Sequence, residues 1–292
     1  MFSSLKRATH SIREGLTRRS RPSTAAKGFE PQDGARFVDL LSDADLAELN
    51  KLLDWNCFTV DCKGRRFGNA AWVGKRAEPQ IIPDRRILLM DRRFGLANKH
   101  VLEVGCFEGV HTIGLCRFAH KVTAVDTRME NVVKTIVRCA FYDVHPQVFK
   151  WNIEDQHDRP RSLTADIAHH VGVLYHLRNP VQHLFELKQF VRLGLMLDTH
   201  YALDHEATES IEVNGKEYRY KRFLESGHSD AFSGEYDHSK WLRLDDIVGI
   251  LRQSGFGTVE LVETRHERNG YRVLMMAERT PEHEDQLSPQ VE

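Results

Sequence analysis

The sequence predicts an α/β fold, a Rossmann-like and mostly parallel sheet with helices on both faces and a closing antiparallel hairpin. Three observations point there. The run Val101-Leu102-Glu103-Val104 enters a turn with glycine at Gly105 and Gly109, and Val110, Ile113, Gly114, Leu115 and Phe118 follow at helical spacing. Next, Lys121-Val122-Thr123-Ala124-Val125-Asp126 reads as a short strand ending in a carboxylate, the position at which such folds hold ribose hydroxyls. Finally, Asn269-Gly270 separates apolar runs at 259–262 and 271–276, a strong hairpin signal.

Along the chain, residues 1–27 carry a charge of +6 and the remainder −7. Residues 1–35 therefore read as a basic, flexible leader and 282–292 as an acidic tail. Residues 36–98 read as a helical and looped lead-in. Within it Ser42-Asp43-Ala44-Asp45 caps a helix through Leu46, Leu49, Leu52 and Leu53, and the turn-rich stretch 58–86 is placed to lid the site.

The main domain spans 99–281. Strands are expected over 100–104, 121–126 and 147–152, the last running into Asn152-Ile153-Glu154-Asp155, with a fourth from Asp166. Asn179 and Pro180 open a helix with Val181, Leu184, Phe185, Lys188 and Val191 on one stripe. A fifth strand covers 194–200. Residues 204–241 are polar and aromatic and read as an irregular insertion over the substrate. Asp245 and Asp246 then start a helix that stops near Gly255, before the hairpin.

Composition bounds the function. With 292 residues, 41% hydrophobic and 28% charged, the chain suits one large or two small domains. No apolar run approaches the ~20 residues of a membrane span, and the amino terminus lacks a secretory pattern, so the expected location is the cytoplasm. Five cysteines without metal-type pairing read as reduced thiols. The acidic folded part argues against a nucleic-acid partner without excluding one. Oligomeric state is left open.

The glycine spacing decides the ligand class. A dinucleotide loop needs glycine at 107 and 110, where this chain has Phe107 and Val110. What remains, Glu103-x-Gly105-x-x-x-Gly109 with Asp126, resembles the first motif of class I S-adenosylmethionine-dependent methyltransferases. A closer likeness lies in Val171-Gly172-Val173-Leu174-Tyr175-His176, Pro180 and His183-Leu184-x-x-Leu187-Lys188, which resemble the tRNA wobble-uridine carboxymethyltransferases and their relatives. The general resemblance covers about residues 99–280.

It implies a cofactor of S-adenosyl-L-methionine, or carboxy-S-adenosyl-L-methionine in the closer branch. Glu103, Gly105, Cys106 and Gly109 would wrap its amino-acid part. Asp126, Thr127 and Arg128 would meet the ribose, and Asn152, Ile153 and Glu154 the adenine. Val171 and Tyr175 would line the pocket, with Arg272 and Tyr175 facing an extra carboxylate. Lys63 and Lys75 are candidates for that branch's upstream lysine.

A hydroxyl acceptor also needs a base, for which His200 after the fifth strand is the first choice and His176 the second. Asp198, His200, Asp204 and His205 offer oxygen and nitrogen metal ligands close together, but their spacing is not diagnostic and no metal is assigned. His169-His170 lies inside a strand and reads as packing. The expected activity is O-methylation of a small-molecule or glycan acceptor, the 230–241 segment suiting a polyhydroxylated one. The alternatives are carboxymethyl or methyl transfer to a tRNA wobble uridine, and a catalytically silent cofactor-binding protein.

Overall fold

Apolar side chains alternate at period two through the central strands, and the structure sends the two sets to opposite faces of one sheet. Val101, Ile167, Met196 and Leu274 pack on one face, while Leu102, Ala168, Leu195 and Val273 pack on the other. A sheet covered on both faces is what parallel pairing demands. The computed structural model describes residues 34–69, 77–155 and 163–280, together with 29, 32, 157 and 160. The basic leader over 1–28, Lys75 and the 282–292 tail lie outside the described residues.

In chain order the elements are α1 (Asp43–Leu52), β1 (Phe58–Val60), β2 (Arg66–Gly68), α2 (Arg85–Phe94), β3 (His100–Val104), α3 (Val110–Cys116) and β4 (Lys121–Asp126). They continue with α4 (Met129–Phe141), β5 (Gln147–Lys150), β6 (Ala165–Val171), α5 (Pro180–Glu186) and β7 (Val191–His200). The remainder are β8 (Glu209–Val213), β9 (Lys216–Leu224), β10 (His238–Leu242), α6 (Leu244–Gln253), β11 (Thr258–Glu267) and β12 (Gly270–Glu278).

The main sheet has the order β11-β12-β7-β6-β3-β4-β5. It is parallel from β7 through β5, while β12 runs antiparallel to both β7 and β11. From β3 the chain proceeds outward to β4 and β5 and then returns to the other side of β3 as β6. The direction of winding therefore reverses between β3 and β6, where open α/β sheets leave a crevice beyond the strand ends. Gly105 and Val173 meet there so closely that a Cβ on Gly105 would lie 2.3 Å from Val173 Cγ2.

Several element readings are corrected. The third strand stops at Lys150 rather than 152, because Asn152 Oδ1 accepts the Glu154 amide at 3.0 Å and turns the chain. The stripe assigned to one helix from Val181 to Val191 is split: α5 ends at Glu186, and Val191 opens β7 by pairing with Ala165. The 204–241 segment is not irregular. It forms a second sheet of order β10-β9-β8, in which Tyr218 and Tyr220 face inward while Glu217 and Arg219 face out.

Asn214-Gly215, both at positive φ, joins β8 to β9 as a two-residue hairpin, the turn that an Asn-Gly pair between strands favours. The final hairpin exists, but its loop is Arg268-Asn269, since Glu267 pairs with Gly270. Gly270 is demanded by packing, as a Cβ there would stand 2.5 Å from Trp241 Cζ3. The helix α2, capped by Asp84, was not anticipated within the turn-rich lead-in.

Candidate functional site

A cavity of about 880 Å³ occupies the crevice at the β3–β6 switch point. That is within the usual range for small-molecule sites. One end is the β3–α3 loop. Gly105 (φ 75°) and Gly109 (φ 79°) provide its left-handed turns, and Phe107 adopts φ 52° between them. The Phe107 amide donates to Asp126 Oδ2 at 3.0 Å, while the Arg128 amide and Asn131 Nδ2 donate to Oδ1 at 2.9 and 3.1 Å. Burial pushes the Asp126 carboxyl up, and these donors act against that. Among the described residues Oδ2 accepts one donor, which leaves it a lone pair for a ligand hydroxyl.

Glu103 is buried at the base of the loop, accepts the Thr112 hydroxyl at 2.6 Å and is pushed up to about 8 by burial. Glu108, between the glycines, does something the sequence did not reveal. Its carboxylate accepts the backbone amides of Asn56 (2.7 Å) and Cys57 (3.0 Å), tying the lead-in to the loop. Burial would raise its pKa, but Arg138 and the amide donors outweigh that and hold it below the usual value.

The remaining cofactor candidates divide. Thr127, Asn152, Ile153, Val171 and Tyr175 line the cavity. Glu154 also lines it, but its two oxygens accept the Arg178 and Asn179 amides at 2.8 and 2.7 Å, so it caps the entry to α5. Arg128 lines the cavity too, and its Nη2 reaches the carbonyls of Gly227, Asp230, Ser233 and Gly234 at 2.9–3.2 Å. It thereby pins the segment between β9 and β10 across the cavity mouth, where Phe232 packs on Phe107 with ring centroids 5.4 Å apart. The lead-in contributes wall residues Gln80, Asp84, Arg85 and Arg86, while Lys63 is not among the cavity-lining residues.

Opposite the loop, Arg272 lines the cavity with Tyr175, its guanidinium carbon 5.7 Å from that ring. It is also ion-paired with Asp198, one of the four candidate metal ligands. Asp198 is fully buried and bound in addition by Arg86 (3.2 Å) and Arg265 (2.9 Å). Burial would raise its carboxyl, yet the three guanidinium groups hold it below the ordinary value. Asp204 and His205 are exposed, so the four residues do not form a coordination sphere.

The two candidate bases differ in what surrounds them. His200 Nδ1 lies 2.9 Å from the Tyr271 carbonyl, which can only accept, so the ring proton sits there. Its Nε2 faces Arg272 Nη1 at 3.4 Å, and the ring stacks on Trp241 at 4.4 Å. Burial and then Arg272 push it down to about 4. His176 instead has Nδ1 2.8 Å from Glu225 Oε2, a residue of the inserted sheet. A carboxylate accepts, so Nδ1 carries the proton and the Nε2 lone pair is available on a residue that lines the cavity. Nothing local in the sequence pairs Glu225 with His176, 49 positions away.

Among the described residues no helix is long and apolar enough to cross a membrane. No family model matches the chain. It is 32% identical over 132 residues to the tRNA U34 carboxymethyltransferase of Geobacter sp. (strain M21), covering 44% of this chain and 36% of that protein. It is 27% identical over 178 residues to the enzyme of the same name from Shewanella halifaxensis (strain HAW-EB4), covering 55% and 48%. The chain thus spans less than half the length of these relatives.

In structure it resembles the N-terminal domain of EvdMO1, solved in the presence of SAH and D-fucose, with TM-score 0.64 at 18% identity over 86% of this chain and 98% of that one. A second structure of that domain with SAH bound gives TM-score 0.63. The chain has the class I methyltransferase fold and resembles, over about half its length, the tRNA U34 carboxymethyltransferases.

Proposed function

We propose that the chain is an S-adenosylmethionine-dependent methyltransferase acting on a hydroxyl of a small or carbohydrate-like acceptor. The observation that carries this is one cavity lined by the glycine loop, Asp126 and the His176–Glu225 pair. The cofactor, when bound, supplies an electrophilic sulfonium methyl. Asp126 Oδ2 receives a ribose hydroxyl, the Gly105–Gly109 turn gives the amino-acid part room, and Ile153 flanks the adenine. His176 Nε2 takes the acceptor proton, Glu225 holding the ring in the required tautomer, for a contribution of ~10²–10⁴-fold in rate. Phe232 and the pinned segment exclude water from the mouth.

The D-fucose in the EvdMO1 domain supports a sugar-like acceptor, as do Phe232 and Tyr236 beside the carboxylates of Asp230 and Glu235 on the cavity wall. The test is calorimetry with S-adenosylhomocysteine: micromolar or tighter binding, weakened at least about tenfold by Asp126→Ala, is expected. Binding of NAD in its place would end this reading.

A second reading is carboxymethyl transfer to a tRNA wobble uridine. The curated relatives favour it, and so does Arg272 beside Tyr175, where a cofactor carboxylate finds a cation. The mass of the ligand released from the denatured protein distinguishes the two cofactors. Tight tRNA binding that falls steeply with salt marks the second acceptor. Cofactor binding with no turnover on either class would mark a silent cofactor-binding protein.

A further inference from the structure

Behind the glycine loop lies a buried side chain with no hydrogen-bond partner among the described residues. His169 on β6 is 1% exposed, and neither ring nitrogen has a hydrogen-bond partner. A neutral imidazole carries one N–H and one lone pair, so both a donor and an acceptor are stranded, which native interiors seldom tolerate without water or an ion. The place of this histidine inside a strand predicts a packing role, and packing does not supply those partners.

The surroundings of His169 are those of a ligand set. Glu103 sits directly opposite it in the β3–β6 register, so the two side chains leave the sheet on the same face. Over that face runs α3. Leu115 on α3 packs into the core there, and His111, one turn earlier on the same stripe, comes down beside the pair. The rings of His111 and His169 meet edge to face with centroids 5.1 Å apart. One ligand atom from each of Glu103, His111 and His169 lies within 4.8 Å of the others. Ligands of a common ion at ~2.1 Å in tetrahedral geometry stand ~3.4 Å apart. The set closes on an ion through side-chain rotations that draw the ligand atoms together by up to about 1.4 Å.

We propose that Glu103, His111 and His169 form a binding site for a divalent first-row transition-metal ion. Two imidazoles and one carboxylate are the donor set that zinc, cobalt and ferrous iron share, and it leaves coordination positions open. Glu103 and His111 also line the cavity, so the open positions face the end where the glycine loop lies. The adverse group is Arg86, whose Nη2 is 3.1 Å from His111 Nε2. Asp84 neutralises it through contacts of 2.8 and 3.0 Å to Nε and Nη2, so the ion does not meet a bare cation. This inference stands apart from the methyl-transfer reading, because its observables belong to the protein alone.

The test uses the whole chain, stripped with chelator and titrated with cobalt(II) while visible absorption is followed. Binding of one equivalent with a d–d band is expected, together with loss of that band in both His169→Phe and His111→Ala. Two variants guard against a folding defect in either, and circular dichroism with S-adenosylhomocysteine calorimetry reports whether each is intact. A protein that binds no cobalt or zinc below about 1 mM overturns the proposal and leaves an ordered water as the partner of His169. So does a cobalt spectrum unchanged in both variants.

Discussion

His176 and His200 both lie against the Tyr175 ring, at 4.2 and 4.9 Å, yet only one is arranged to take a proton. His200 is buried with its lone pair turned to a guanidinium, while His176 has a carboxylate behind it and an open nitrogen ahead. His176→Gln should lower kcat by ~10²–10⁴-fold with S-adenosylhomocysteine affinity kept, and Glu225→Gln should give a smaller loss with the pH–rate profile displaced. His200→Asn should cost less than tenfold, by the same assay. A larger loss from His200 than from His176 would restore the assignment made from sequence.

A second histidine pair predicts a pH effect on stability. His170 and His183 are buried with Nε2 atoms 3.0 Å apart, and burial pushes His170 down to about 4 and holds His183 well below its ordinary value. The unfolded chain takes up these protons near 6.5 and the folded chain does not. Their stabilisation is therefore present above pH 6.5 and is lost as pH falls toward 4. For His170 alone the loss is at most about 3 kcal/mol. Glu103, raised by burial, acts in the opposite sense as pH rises from 4.5 to about 8. The comparison must therefore be between variants: His170→Phe with His183→Leu should flatten the fall in urea midpoint between pH 7 and pH 5 relative to the parent protein.

At the scale of elements, the inserted sheet and the loop after β4 act together through Arg128. One guanidinium nitrogen reaches four carbonyls of a segment that has no sheet pairing of its own between β9 and β10. Arg128→Ala should speed amide exchange over 225–236 and raise the acceptor KM, while leaving Asp126 and cofactor affinity within about threefold, since its own backbone amide still donates to Asp126. Unchanged exchange in that segment would show that Phe232 and the Glu225–His176 contact hold it unaided.

At the scale of the molecule, the cavity joins both halves of the sheet, so ligand occupancy should be felt globally. S-adenosylhomocysteine at a hundred times its Kd should add about 2.7 kcal/mol, a rise in Tm of roughly 5–10 °C by scanning calorimetry. A shift confined to one of two separate transitions would mean that the lead-in and the sheet unfold independently.

The sheet was legible because its strands are apolar on both faces and its turns need glycine or a capping Asn-Pro pair. The Gly105–Gly109 turn and Asp126 came from the same signal, since local chemistry fixes them. What stayed hidden was set by distance along the chain. Glu225 reaches His176 only because β9 folds back over the crevice, and Arg86 and Arg265 reach Asp198 from elements more than sixty residues away. The strands at 209–224 were missed for a different reason: only alternate residues are apolar, and charged neighbours mask the pattern.

Asp126 and Arg128 are two residues apart, one facing the cofactor end and the other holding the segment that brings Glu225 to the acceptor end. A single turn thus touches both the glycine loop and the segment across the cavity mouth. On the proposed methyl-transfer reading the expected consequence is temporal: the donor should load first, the acceptor second, and the spent donor should leave last. Product-inhibition patterns competitive only against the donor would display that sequence.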